Sequence, residues 1–130
     1  HIALIFIFLI GTAALWRIDI QIQSWRSAGL VAESIVRQTL ELAPSPRYGS
    51  KLMFLDIPRN NDQYAYIFGI GLKEALLHAY GGRQDLTIIR YPQREDLRTA
   101  DPDRDFVFQY HLETGVLEKL KAMRISKTQK

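Results

Sequence analysis

The stretch 51–91 contains KLMFLDI at 51–57, LKEALLHAY at 72–80 and DLTIIRY at 85–91, the order strand, helix, strand. The two outer segments are short apolar runs, each stopped by a proline, Pro58 and Pro92. In the middle segment Leu72, Ala75, Leu76, Ala79 and Tyr80 fall at helical spacing, with Gly81-Gly82 as the stop. A strand, a helix and a strand in that order predict a right-handed parallel crossover. Between the first strand and the helix lie a polar loop, 59–63, and a strand-like or extended approach, YAYIFGI at 64–70.

Downstream, residues 93–104 are polar and rich in charge and read as a loop. The run 105–112 (DFVFQYHL) alternates, with Phe106, Phe108, Tyr110 and Leu112 on one side. Glu113-Thr114-Gly115 supplies a turn, and residues 116–120 return as the partner strand. The expected fold is α/β, a small mixed sheet with flanking helices.

The other end of the chain is unlike this. Residues 2–15 (IALIFIFLIGTAAL) carry no charge, and Thr12 is their only polar side chain. Trp16 and Arg17 follow at once, the order of a belt aromatic and a snorkelling cation at a membrane edge. Fourteen residues are too few for a bilayer, which needs about 20. Because the sequence starts with His1, the expectation is that the run is the end of a membrane helix whose upstream half belongs to a longer protein. A buried helix of a soluble protein and a targeting signal are the competing readings. The signal lacks a basic n-region, and Thr12-Ala13-Ala14 makes a poor cleavage site.

From Ile18 the pattern becomes one-sided. Ile18, Ile22, Trp25, Gly29, Ala32, Val36, Leu40 and Ala43 follow steps of three or four and form one apolar stripe. The stripe predicts that the membrane helix runs on into an amphipathic one, with Trp25 buried against the sheet. Pro44, Ser45 and Pro46 end it. The organisation expected is therefore 1–17 as membrane helix end, 18–46 as amphipathic helix and break, 47–122 as the α/β domain, and 123–130 as a basic disordered tail.

Charge is nearly balanced, with 17 basic and 14 acidic residues, so no nucleic-acid partner is expected. Interleaved aromatics such as Tyr64, Tyr66, Phe106 and Phe108 fall at strand spacing and read as packing. There is no cysteine, which excludes disulfides and thiolate metal sites. His1, His78 and His111 have no ligand spacing, and no serine sits in a nucleophile elbow. Gly69-Ile70-Gly71 lacks the third glycine of a dinucleotide turn. No metal or cofactor is expected, and no catalytic residue is recognised. The remaining ligand-site candidates are Asp56, at the carboxyl end of the first strand, with Asn60, Asn61 and Asp62 in the loop beyond it. The simpler role for the four is a braced turn.

Trp25-x-x-Ala28-Gly29, the Pro44-Ser45-Pro46 break and Phe54-Leu55-Asp56-Ile57-Pro58 form the first part of a familiar order of motifs. Tyr64-Ala65-Tyr66-Ile67-Phe68 before Gly71-Leu72-Lys73-Glu74-Ala75-Leu76, and the ending Asp105-Phe106-Val107-Phe108-Gln109-Tyr110, continue it. Together they resemble a C-terminal domain that follows the last transmembrane helix of polytopic bacterial proteins similar to lipid-dependent glycosyltransferases of the mannosyltransferase kind. The resemblance implies a membrane protein of the cell envelope whose soluble domain lies outside the cytoplasm. Its partners would be the lipid bilayer and the upstream membrane region of the same protein. In such enzymes the catalytic carboxylate lies in an early loop near the N-terminal membrane helices, and no position here matches it. The expected function is thus a non-catalytic accessory domain. The alternatives are a single-span anchored binding or structural domain, and a small soluble enzyme using Asp56.

Overall fold

The computed structural model describes residues 2–58, 65, 67 and 71–120, with residues 2–4 and 6 described in backbone only. The first element, α1, is a continuous helix Ile2–Leu42 of 41 residues, about 60 Å long. No proline interrupts it, and the Pro44-Ser45-Pro46 break follows. Then come β1 (Lys51–Leu55), α2 (Leu72–Ala79), β2 (Thr87–Arg90), α3 (Arg94–Arg98), β3 (Phe106–His111) and β4 (Val116–Leu120).

The four strands form one mixed sheet in the order β2-β1-β3-β4. Strand β1 is parallel to both β2 and β3, with Leu52 opposite Ile88 on one side and Phe106 on the other. Strands β3 and β4 are the antiparallel hairpin, with Tyr110 opposite Leu117. Right-handed crossovers that leave in opposite directions put α2 and α3 on opposite faces. This explains why the central strand is buried on both sides, Leu52 and Phe54 on one and Met53 on the other.

The fold class read from the sequence is present as a small mixed α/β sheet with helices. The segment 93–104 differs from the loop expected there, because α3 lies within it. Gln93 and Asp96 form a capping box, and Gln93 N donates to Asp96 Oδ2 at 2.7 Å. A five-residue helix of four charged residues and Leu97 has too little apolar periodicity to be seen in sequence. The strand-like reading of 64–70 and the disordered tail of 123–130 lie outside the described residues, apart from buried Ala65 and Ile67.

Docking of α1 corrects the expected stripe. Trp25 is 55% exposed, and Ile18 and Ile22 are also exposed. The line that meets the domain is Ser24, Ala28, Ile35, Thr39 and Ala43, built largely from small side chains, and of the expected stripe only its C-terminal part, Ala32, Val36 and Ala43, packs against the core. Close approach of a helix to a sheet selects small residues, whereas the sequence reading followed the large apolar ones. Gln38 completes the docking on the edge strand. Its amide oxygen accepts from Leu117 N at 2.7 Å, and its Nε2 donates to Gly115 O at 2.9 Å, satisfying backbone groups that an edge leaves open.

The end of α1 is clipped to the turn before β2. Tyr80 donates its hydroxyl to Ala43 O at 2.7 Å, and burial pushes its pKa up to about 12, so it remains a donor. Arg83 donates to Pro46 O at 2.6 Å and pairs with Asp85, which also accepts from Gly49 N at 3.2 Å. The Arg83 hydrogen bond lowers the Asp85 pKa to about 2, with the Gly49 amide adding to it. A depressed carboxylate stabilises the fold above its unfolded pKa, and that contribution is lost as pH falls through the folded one. The midpoint of urea unfolding is therefore expected to fall between pH 4 and pH 2 in the native chain. In Asp85→Asn the same acid limb should be shallower. An identical slope in both would remove the clip from the acid response.

Among the described residues no helix is long and apolar enough to cross a membrane.

Candidate functional site

Ligands of open α/β sheets gather beyond the carboxyl ends of the strands, where neighbouring connections leave in opposite directions. Here that place lies between β1 and β3, since β1 leads through α2 to β2 on one side and β3 turns into β4 on the other.

Two non-glycine residues adopt positive φ at this edge of the sheet, Asp56 at 59° and Tyr91 at 63°. Each directly follows or closely follows a strand, β1 and β2 respectively. For Asp the left-handed region is tolerated, because a short polar side chain can bond locally. For Tyr it is a true outlier, and such positions persist only where their surroundings fix them. The surroundings do so. Tyr91 N donates to Phe54 O at 3.3 Å, extending the parallel ladder, and its hydroxyl donates to Ile57 O at 3.2 Å. The Arg90 guanidinium lies 4.8 Å from the Tyr91 ring centroid, and its Nη2 donates to Pro58 O at 3.4 Å. The exits of β1 and β2 are thus clamped together. Arg90 Nε is buried with no hydrogen-bond partner among the described residues.

Asp56 turns the other way, toward β3. Its Oδ2 accepts from Gln109 Nε2 at 3.2 Å, and the pair is exposed. Farther along the hairpin, His111 Nε2 lies 3.0 Å from Glu118 Oε2, with Gln109 opposite Glu118 in register. Asp56, Gln109, His111 and Glu118 therefore give the strand ends a polar rim beside the switch point. Among the described residues no group of three His, Asp or Glu side chains could hold a metal ion.

Of the residues singled out in the sequence, Asp56 is brought to this rim, whereas Asn60, Asn61 and Asp62 lie outside the described residues. Trp16 and Arg17 are far from it, both exposed on α1. The sequence reading missed Arg90, Tyr91, Gln109 and the His111–Glu118 pair. Tyr91 had a signal in Pro92, since the residue before a proline is restricted and often ends an element. The other partners come from strands distant in sequence and carried none.

The arrangement around Asp56 is that of a brace. Asp56→Asn keeps both the left-handed turn and a side-chain oxygen, and should leave stability within about 0.5 kcal/mol of the native value. Asp56→Val, β-branched at positive φ, should cost about 1–2 kcal/mol. Denaturant titration of both variants checks this, and a large loss in Asp56→Asn would show that the carboxylate charge itself is needed.

No protein-family model matches this chain, and no curated protein or solved structure is significantly similar to it.

Proposed function

We propose that this chain is a non-catalytic accessory domain, carried outside the cytoplasm on the last membrane helix of a glycosyltransferase-like protein of the cell envelope. The observation that supports it is the outer half of α1. Ile5, Ile7, Phe8, Leu9, Ile10 and Leu15 are each more than half exposed and lie on all sides of the helix. A helix that is apolar all round belongs in a membrane or in a protein core, and among the described residues the sheet domain covers none of these side chains. The uncharged run of 2–15 is about 21 Å long, some two-thirds of the hydrocarbon layer, so it serves as the terminal part of a span.

Trp16 and Arg17 then mark the interface, both exposed on the helix. The first residue buried against the domain is Ser24, about 10 Å farther along the axis. On this reading α1 is a continuous stalk that holds the sheet beyond the headgroups. The glycosyltransferase assignment itself rests on the motif resemblance from Trp25 onward.

The reading frame upstream of residue 1 tests the proposal. Several apolar spans with an acidic residue in an early loop support it. A start codon only a few residues upstream would replace it with a single-span anchored binding domain.

A further inference from the structure

We propose that α1 pairs with the α1 of a second copy of this chain, in a parallel two-stranded coil along its exposed stripe. Leu15, Ile18, Ile22, Trp25, Gly29 and Ala32 are separated by alternating steps of three and four. Phe8 and Gly11 extend the same alternation toward the N-terminus, and Val36 extends it the other way. From Leu15 to Val36, almost wholly outside the run that is apolar all round, this is a repeat of 3.5 residues kept over three heptads, the spacing of positions a and d in a coiled coil. A helix serving only as an anchor needs no such repeat.

The domain of the same copy covers only the C-terminal end of this stripe, where Ala32 and Val36 pack against its core. It docks on Ser24, Ala28, Ile35 and Thr39, about a quarter turn away around the helix. Phe8, Leu15, Ile18, Ile22 and Trp25 are left between 51% and 70% exposed. At its C-terminal end the stripe opens into an apolar groove of about 460 Å³ between α1 and α2, lined by Ala32, Val36, Leu40 and Ala75 with Glu33 and Arg37 at its rim. The groove gives a partner helix room to continue past Ala32.

The stripe also fits itself. A Cβ built on Gly29 meets nothing within 4 Å, so space for a partner side chain lies one turn from the exposed indole of Trp25. A two-fold axis along the helices sets Trp25 of one copy level with Trp25 of the other, and the partner's Gly29 one turn on leaves each indole room, a self-complementary contact. With Phe and Trp side chains at 150–250 Å² each, the stripe offers roughly 600 Å² per copy, close to the ~800 Å² of a standard interface. The parallel sense rests on the membrane reading, because two copies anchored in one bilayer enter it in the same direction.

The sequence has no cysteine, so single substitutions report cleanly. The full chain carrying Ile18→Cys, Ile22→Cys or Ala32→Cys is compared with Gln23→Cys and Ser27→Cys, in phosphatidylcholine vesicles with a copper–phenanthroline oxidant. The stripe positions should cross-link to dimer roughly tenfold faster than the others, because a disulfide needs Cβ atoms about 4 Å apart. Adding Gly29→Leu to Ile22→Cys fills that space and should slow its cross-linking about fivefold at unchanged helical circular dichroism. Equal rates at all positions, or a monomer throughout, overturn the pairing. So does cross-linking confined to a mixture of Ile18→Cys and Ala32→Cys chains, the mark of antiparallel helices. Vesicle flotation of the same samples separates the two proposals: a chain that floats but stays monomeric defeats the pairing alone. A chain that stays in buffer defeats the membrane reading, and the cross-linking pattern there still decides the pairing.

Discussion

Phe54→Ala should remove about 3–5 kcal/mol of stability, most of what a domain this small possesses. Phe54 lies on the central strand and is fully buried. Its ring is stacked on Phe108 of the neighbouring parallel strand, with centroids 5.1 Å apart, and Phe106 continues the row at 6.2 Å from Phe108. The same side of the sheet receives Ile35 of α1 and Leu76 of α2, both fully buried in one cluster. Truncation there opens a cavity between two helices and three strands, and none can close it without leaving its other contacts. Phe54→Leu retains most of the volume and should cost about 1–2 kcal/mol. Denaturant unfolding followed by far-ultraviolet circular dichroism measures both. A small loss in Phe54→Ala would mean that the row of rings is not what joins the helices to the sheet.

That row was legible in the sequence because strands announce themselves by local pattern. Residues 51–57 and 85–91 are apolar runs stopped by prolines, and 105–120 alternates around Glu113-Thr114-Gly115. The strand-helix-strand order then gave the parallel pairing of β1 with β2, whereas the parallel seat of β3 on the other side of β1 was not read from it. What could not be read is what depends on contact between distant segments. Gln38 reaches Leu117, 79 positions away, and nothing near Gln38 marks it as different from Gln21 or Gln23. The docking face of α1 was misjudged for a related reason. Periodicity identifies a stripe, but not whether its partner is the same chain, another copy or lipid. The rim at the strand ends was visible only through Asp56, since Gln109, His111 and Glu118 become its neighbours by strand register alone.

The native chain should float with phosphatidylcholine vesicles, and Ile7→Asp combined with Ile10→Asp should leave it in the buffer. Both residues are 67% exposed and lie within the uncharged run, three positions apart. Among the described residues the first one of α1 buried against the sheet domain is Ser24, so the substitutions remove no packing seen there. In water two exposed aspartates on a helix are tolerated, at a few tenths of a kcal/mol in helix propensity. In hydrocarbon each costs about 2.5–3.5 kcal/mol, and the pair about 5–7 kcal/mol. The partition coefficient should therefore fall by at least about a thousandfold, with the denaturation midpoint of the sheet domain unchanged. Two isosteric controls, Ile7→Leu and Ile10→Leu, should float like the native chain. If the native chain remains in the buffer as a monomer, the outer half of α1 is not a membrane segment and its apolar surface needs another cover. If the aspartate variant stays out of the vesicles but also unfolds earlier, the run contributes to the fold, and exposure along the helix has been misread as freedom from it.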